Sequence, residues 1–286
     1  MTEFQNKIDF KLVFAVHNAN PNGDPLNGNR PRQNFAGYGE VSDVAIKRKI
    51  RNRLQDMGNA IFVQSNDRKN DGFDSLKARA EAVPELKKSD NADDYARIAC
   101  QTWLDVRSFG QVFAFKKGKD SSNGVSIPVR GPVSVQIAES VNPITINDMQ
   151  ITKSVNSEPG GGRGSDTMGM KHYVDFGYYV VNGSINTQLA EKTGFSAEDA
   201  EQIKQALLTL FENDASSARP EGSMEVVKLF WWTHPSKLGK YPSARVHRSV
   251  QVLPVDAAVI PHQVADYKLE VVDELPGVDL KIYPEA

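Results

Sequence analysis

Residues 8–18, IDFKLVFAVHN, constrain the fold of this chain more than any other stretch. The run is rich in β-branched and aromatic residues, and its polar members lie near its ends. It therefore reads as a strand at the centre of a sheet, covered on both sides. A helix over 42–57 follows, with Ser42 as its N-cap and Ile46, Ile50, Leu54 and Met57 at helical spacing. Residues 131–139 alternate through Val133, Val135 and Ile137, which predicts a half-buried strand. Residues 174–186 and 225–233 read as strands. Between them a helix over 196–213 starts at Ser196, with Asp199 placed for a capping box and Ile203, Leu207, Leu210 and Phe211 on its core face.

The order is strand, helix, strand, strand, helix, strand. That is the split βαβ pattern of ferredoxin-like and RNA-recognition folds, an α+β class, in one domain over 1–286. The remaining segments read as additions to it. Residues 59–104 combine a short apolar run, a polar loop and two helical patterns. Residues 105–115 read as a possible strand extension. Residues 18–32, with three prolines and five asparagines, read as an irregular loop, and 151–173 as a glycine-rich excursion.

Composition bounds the chemistry. The net charge of −2, from 34 basic and 36 acidic side chains, gives no global sign of nucleic acid. Its distribution does. Lys47, Arg48, Lys49, Arg51 and Arg53 crowd residues 43–53 against Asp43 alone, whereas 256–286 carry seven acids and two lysines. The single cysteine, Cys100, cannot form an internal disulfide and lies in an apolar helical stretch. It reads as a packed thiol in a cytoplasmic protein. No stretch approaches the length and apolarity of a membrane span or a signal peptide.

No CxxC, no histidine pair at ligand spacing and no P-loop occurs, so neither a metal nor a cofactor is expected. The GGGRG run at 160–164 lacks the Lys-Ser/Thr ending and does not join a strand to a helix. The candidates for nucleic-acid contact fall in three groups. Lys47, Arg48 and Arg51 share a helix flank and suit a phosphate backbone. Asn20, Asn22, Arg30 and Arg32 lie in the loop after the first strand. Arg163, Met168, Met170, Lys171 and His172 lie in the glycine-rich excursion, where methionines can wedge between bases. The competing readings are a solvated helix face, a surface connector and a disordered loop.

The stretches FAVHNANPNGDPLNGNRPR (14–32) and GEVSDVAIKRKIRNRL (39–54) resemble the RAMP-type backbone subunit of type I CRISPR Cascade, in its subtype I-C form. DVRSFGQVFAF (105–115), IPVRGPVSVQIAESVNP (127–143), TMGMKHYVDFGYYV (167–180) and PSARVHRSVQV (242–252) also resemble that family. The resemblance implies a hand-shaped subunit. It has an RNA-recognition-like palm, a finger insertion over 59–104 and a thumb over 151–173. Copies would stack head to tail along the CRISPR guide RNA, beside other Cascade subunits, and leave the bases free to pair with target DNA. It implies no catalysis. Type III relatives cut RNA with an aspartate, for which Asp166 is the candidate here, but the pattern matches type I. The alternative is a RAMP endoribonuclease that processes repeat RNA, with His17 as its base.

Overall fold

The computed structural model describes residues 2–89, 91–114, 126–152 and 168–284. Along the chain these form β1 (Ile8–Ala19), β2 (Tyr38–Val41), α1 (Asp43–Asp56), α2 (Leu76–Glu81), α3 (Pro84–Lys87), α4 (Ala92–Thr102) and α5 (Leu104–Phe109). After a hairpin of Gly110–Ala114 with Ser126–Arg130 come β3 (Val133–Val135), β4 (Ala138–Pro143), β5 (Ile146–Thr152), β6 (Met168–Ile185), α6 (Thr187–Thr193) and α7 (Ala197–Leu208). The chain continues through β7 (Met224–Thr233), α8 (Ser243–Arg248), a hairpin of Val250–Pro254 with Tyr267–Val271, and β8 (Asp279–Tyr283).

The main sheet runs β8–β7–β1–β6–β4–β2, with β3 and β5 also paired to β6. Every pairing in it is antiparallel. Of the four strands anticipated from sequence, the first and third are central neighbours, the fourth lies beside the first and the second beside the third.

One face of β1 presents Phe10, Leu12, Phe14 and Val16 to α1 and α7, whose Ile46, Ile50, Leu54, Ile203 and Leu207 are buried in the same cluster. Ser42 caps α1 by accepting from the Ala45 N–H, and the Ser196–Asp199 capping box of α7 is complete. The other face presents Val13 and Ala15. It is covered by the C-terminal segment, through Val246, Val250 and Leu275. A third cluster, including Phe62, Leu86, Cys100, Trp103 and Phe113, gives the 59–114 region a core of its own. Cys100 is buried, and burial pushes its thiol up to about 11.

Several elements differ from the sequence expectation. Ile137 is 56% exposed, not half-buried in a strand. Ser134 pairs with Ser184 but Glu139 pairs with Val180, so one extra residue enters between β3 and β4. That bulge turns the inward face from Val133 and Val135 to Ala138 and Ser140. Residues 104–109 are helix, and the strand starts only at Gly110, whose φ of 80° ends the helix. The anticipated 196–213 helix ends at Leu208.

The 18–32 segment is not irregular throughout. Gly23–Asp24 pairs with Arg30–Pro31 across a one-turn 3-10 helix, in which the Asp24 carboxylate accepts from the Leu26 N–H and Gly28 takes the left-handed conformation. Residues that exclude long elements are the ones a tight hairpin uses. Finally, 151–152 and 168–173 are not loop. They are the outer ends of β5 and β6, in a ladder paired from Thr152–Met168 to Asn147–Tyr173.

Candidate nucleic-acid interface

The β5–β6 pair forms an arm beyond the covered part of the sheet. Side chains alternate across a strand, so Met168, Met170 and His172 share one face with Gln150 and Asp148, while Lys171 shares the other with Met149 and Ile151. Met168, Met170, Met149 and Ile151 are all about half exposed or more (64%, 55%, 47% and 48%). Among the described residues nothing covers the apolar side chains on either face of this arm.

At the base of the arm the 20–41 lobe meets it. The Asp148 carboxylate accepts from Arg30 and, at 2.6 Å, from His172 Nδ1, and these bonds hold its pKa below the usual carboxylate range. A Cβ on Gly28 would lie 3.9 Å from His172 Nε2, so the turn of the lobe closes over this imidazole. Arg32 is 3.3 Å from Asp24 and borders the same cleft as Arg30. Arg30, Arg32, Met168, Met170, Lys171 and His172 are thus brought to the lobe and arm. Asn20 and Asn22 hold the lobe together. Asn20 Nδ2 donates to the Asn29 carbonyl at 2.6 Å, and Asn22 Oδ1 accepts from the Ser42 N–H at 2.9 Å. Arg163, like Asp166, lies outside the described residues.

The basic flank of α1 is engaged within the chain. Lys47 pairs with Asp43 at 3.0 Å, and Arg48 donates to the Val63 carbonyl at 2.7 Å. Arg51 meets the fully buried Asp105 at 2.9 Å and covers the Phe109 ring. Asp105 also accepts from the Phe62 and Val63 N–H groups, at 2.7 and 3.1 Å. Lys49 pairs with Asp214 and Arg53 with Glu212. Four of these cations therefore fasten α1 to the 59–109 region and to the segment after α7, and Lys47 is paired within the helix. Sequence reasoning missed this because every acceptor except Asp43 lies far along the chain.

Among the described residues no three His, Cys, Asp or Glu side chains could together hold a metal ion, and no helix is long and apolar enough to cross a membrane. His17, the base in the endoribonuclease alternative, packs against Phe176 with ring centroids 4.7 Å apart and the planes tilted by 43°.

The chain is similar to a CRISPR-associated protein Cas7 of Haloferax volcanii. The two are 26% identical over 226 residues, covering 74% of this chain but only 66% of that protein's length. Among solved structures it is similar in fold to a chain of a CRISPR RNA-guided surveillance complex, pre-nicking. The TM-score is 0.51 at 18% identity, covering 79% of this chain and 75% of that one. The family model described as CRISPR-associated protein Cas7 matches residues 6–272. The chain belongs to the Cas7 family.

Proposed function

We propose that this chain is a non-catalytic, guide-RNA-binding backbone subunit of a type I Cascade complex, of subtype I-C, whose copies assemble head to tail along the CRISPR RNA spacer for target DNA recognition. Its partners are then the guide RNA, target DNA through the guide, other copies of itself and other Cascade subunits. The strand order supports a ferredoxin-like palm, the 59–104 region serves as a finger and the β5–β6 arm as the thumb. Because the C-terminal segment covers the second face of the sheet, RNA runs along the lobe and arm and not across the open sheet that RNA-recognition domains use.

The observation that carries this reading is the convergence of Arg30 and His172 on one carboxylate at the foot of an exposed apolar arm. Two nitrogen donors aimed at the one Oδ1 of Asp148 are also aimed for a phosphate oxygen, and Arg32 adds charge to the same cleft. Met168 and Met170, on the His172 face, supply the apolar wedge that parts stacked bases. Lys171 reaches the strand from the opposite face of the arm, and Arg163 joins by charge. Asn20 and Asn22 act by shaping the lobe. Lys47, Arg48 and Arg51 form a second group, which would exchange Asp43, the Val63 carbonyl and Asp105 for phosphate. Contacts of this kind read backbone and shape, so binding is independent of spacer sequence.

The test is the salt dependence of guide-RNA binding. Each lost phosphate contact lowers the slope by about 0.7 for a single strand. Arg30→Ala with Arg32→Ala should lower it by more than one contact's worth, and two scrambled spacers should bind within about tenfold of each other. An unchanged slope in that variant, or a larger difference between spacers, overturns the reading.

A further inference from the structure

Among the described residues Phe35 has no packing partner: it is fully exposed, at 114% of the reference area. Its turn is nevertheless firmly built. Asn34 Oδ1 accepts from the Ala36 and Tyr38 N–H groups, both at 3.0 Å, and the Asn34 N–H donates to the Tyr38 carbonyl at 2.9 Å. Gly37, at φ +86°, donates to the Asn34 carbonyl, and its own carbonyl accepts from the Ile144 N–H. Five hydrogen bonds thus hold an aromatic ring out in water. Leu26, on the adjacent turn of the same lobe, is 98% exposed. A large apolar side chain displayed on a preorganised turn loses little conformational entropy on binding and is the usual form of an interface anchor.

A cleft of about 360 Å³ lies elsewhere on the molecule, between the N-terminal segment and α7. Its floor is Phe4, Ile8, Ala200 and Trp231, all nearly buried, and its rim carries Glu3 and Glu201. The two features occupy opposite corners of the sheet. Phe35 precedes β2, the terminal strand at one edge. The cleft lies near the other edge, where the start of β1 (Ile8) pairs with the end of β7 (Thr233).

We propose that Phe35 of one copy seats in this cleft on the next copy. The proposal rests on the head-to-tail reading above and names its contact. A knob and a hole on different parts of one chain make a heterologous interface, which repeats without closing. That is the geometry a linear array requires, and it gives the exposed ring a partner that every copy carries.

The test uses two full-length variants, Phe35→Cys and Ala197→Cys. Ala197 is an exposed residue in the wall of the cleft. Each variant alone, and an equimolar mixture, is incubated with guide RNA and a short bis-maleimide. Cys100 is buried and its thiol is held protonated, and the wild type measures its background. A covalent dimer in the mixture and neither single variant is the expected result. Its absence from the mixture, or equal dimer in a single variant, overturns the contact. Absorbance at 260 nm of the same fractions reports RNA retention separately, so failure of the RNA reading is distinguished from failure of the contact. As a second measurement, Phe35→Asp should keep wild-type affinity for an RNA that holds one copy and lose cooperative filling of a longer one. Weakened one-copy binding would place Phe35 on RNA and overturn the proposal.

Discussion

The two faces of β1 are covered in different ways. Toward α1 and α7 the strand presents only apolar side chains, and Phe14 stacks on Tyr179 with centroids 5.2 Å apart. Toward the C-terminal segment it presents Val13 and Ala15 but also Asp9 and Lys11, both buried. Asp9 Oδ2 is 2.8 Å from His234 Nε2 and 3.1 Å from Lys7 Nζ. The Lys240 N–H donates to His234 Nδ1, so the ring proton is on Nε2 and points at the carboxylate. Burial raises the Asp9 pKa, but the hydrogen bonds from His234 and Ser243 and the charge of Lys7 outweigh it, and the group ends below its usual value. Lys11 donates to the Val250 carbonyl, and His247 Nε2 to the Gly183 carbonyl at 3.0 Å. An apolar face accepts any cover of the right shape. A face with buried polar groups accepts only the segment that satisfies them, so the second face selects its partner.

If that contrast holds, the helix face should carry the most stability. Phe14→Ala removes a fully buried ring from the cluster that joins both helices to the sheet. It should lower unfolding free energy by about 3–5 kcal/mol in a urea titration. A loss below about 1 kcal/mol would mean that the C-terminal face, not the helix face, holds the domain together.

The polar face should show itself in pH. Burial brings Lys11 from 10.5 down to about 8. Below pH 8 the lysine is charged in both states and the full cost of burying the charge is present. Between pH 8 and 10.5 the folded chain has released a proton that the unfolded chain keeps, so stability rises with pH. The gain is at most about 3 kcal/mol. Lys49, also lowered to about 8, titrates in the same window, and burial raises Tyr178, Tyr179 and Tyr267 above it. They are common to wild type and Lys11→Met, so the difference between the two proteins isolates Lys11. Urea midpoints from pH 7.5 to 10 should converge as pH rises, and parallel curves would show that Lys11 is not desolvated.

The same contrast explains what could be read from the sequence. Strand β1, α1 and α7 were legible because their periods carry strong apolar contrast and their caps are local. Asp9 and Lys11 read as polar strand-end residues because their partners, His234 and Val250, belong to a tail without a clear period. The bulge at 136–137 was invisible because Ile137 continues the alternation that the structure breaks. Helix 104–109 was masked by its short apolar run, and what fixes it, Asp105 bonded to Phe62, Val63 and Arg51, is tertiary. For the site, the residue types were legible and their grouping was not. Arg30 and His172 meet only because β5 and β6 pair beside the lobe, and the charge density of α1 gave no sign of its internal partners.

The smallest effect on stability should come from the arm, where β6 runs beyond both covers. From Val174 inward β6 contributes buried residues to both clusters, whereas Met168 and Met170 stand 64% and 55% exposed. Changing both to Ser removes no buried apolar area comparable to Phe14, and the ladder from Thr152 to Asn147 is made by backbone groups that remain. The melting temperature should therefore stay within about 2–4 °C of wild type, the shift that roughly 1 kcal/mol produces in a domain of 150–250 residues or more. Assembly on guide RNA is the quantity that should change, because a serine cannot part stacked bases at the same cost in water. Native mass spectrometry with a fixed guide would count the copies retained. Full retention with unchanged melting would leave the exposed methionines without a role in RNA binding. Reduced retention with a large loss of thermal stability would instead make the arm part of the folded core, and the difference between the covered and uncovered halves of β6 would disappear.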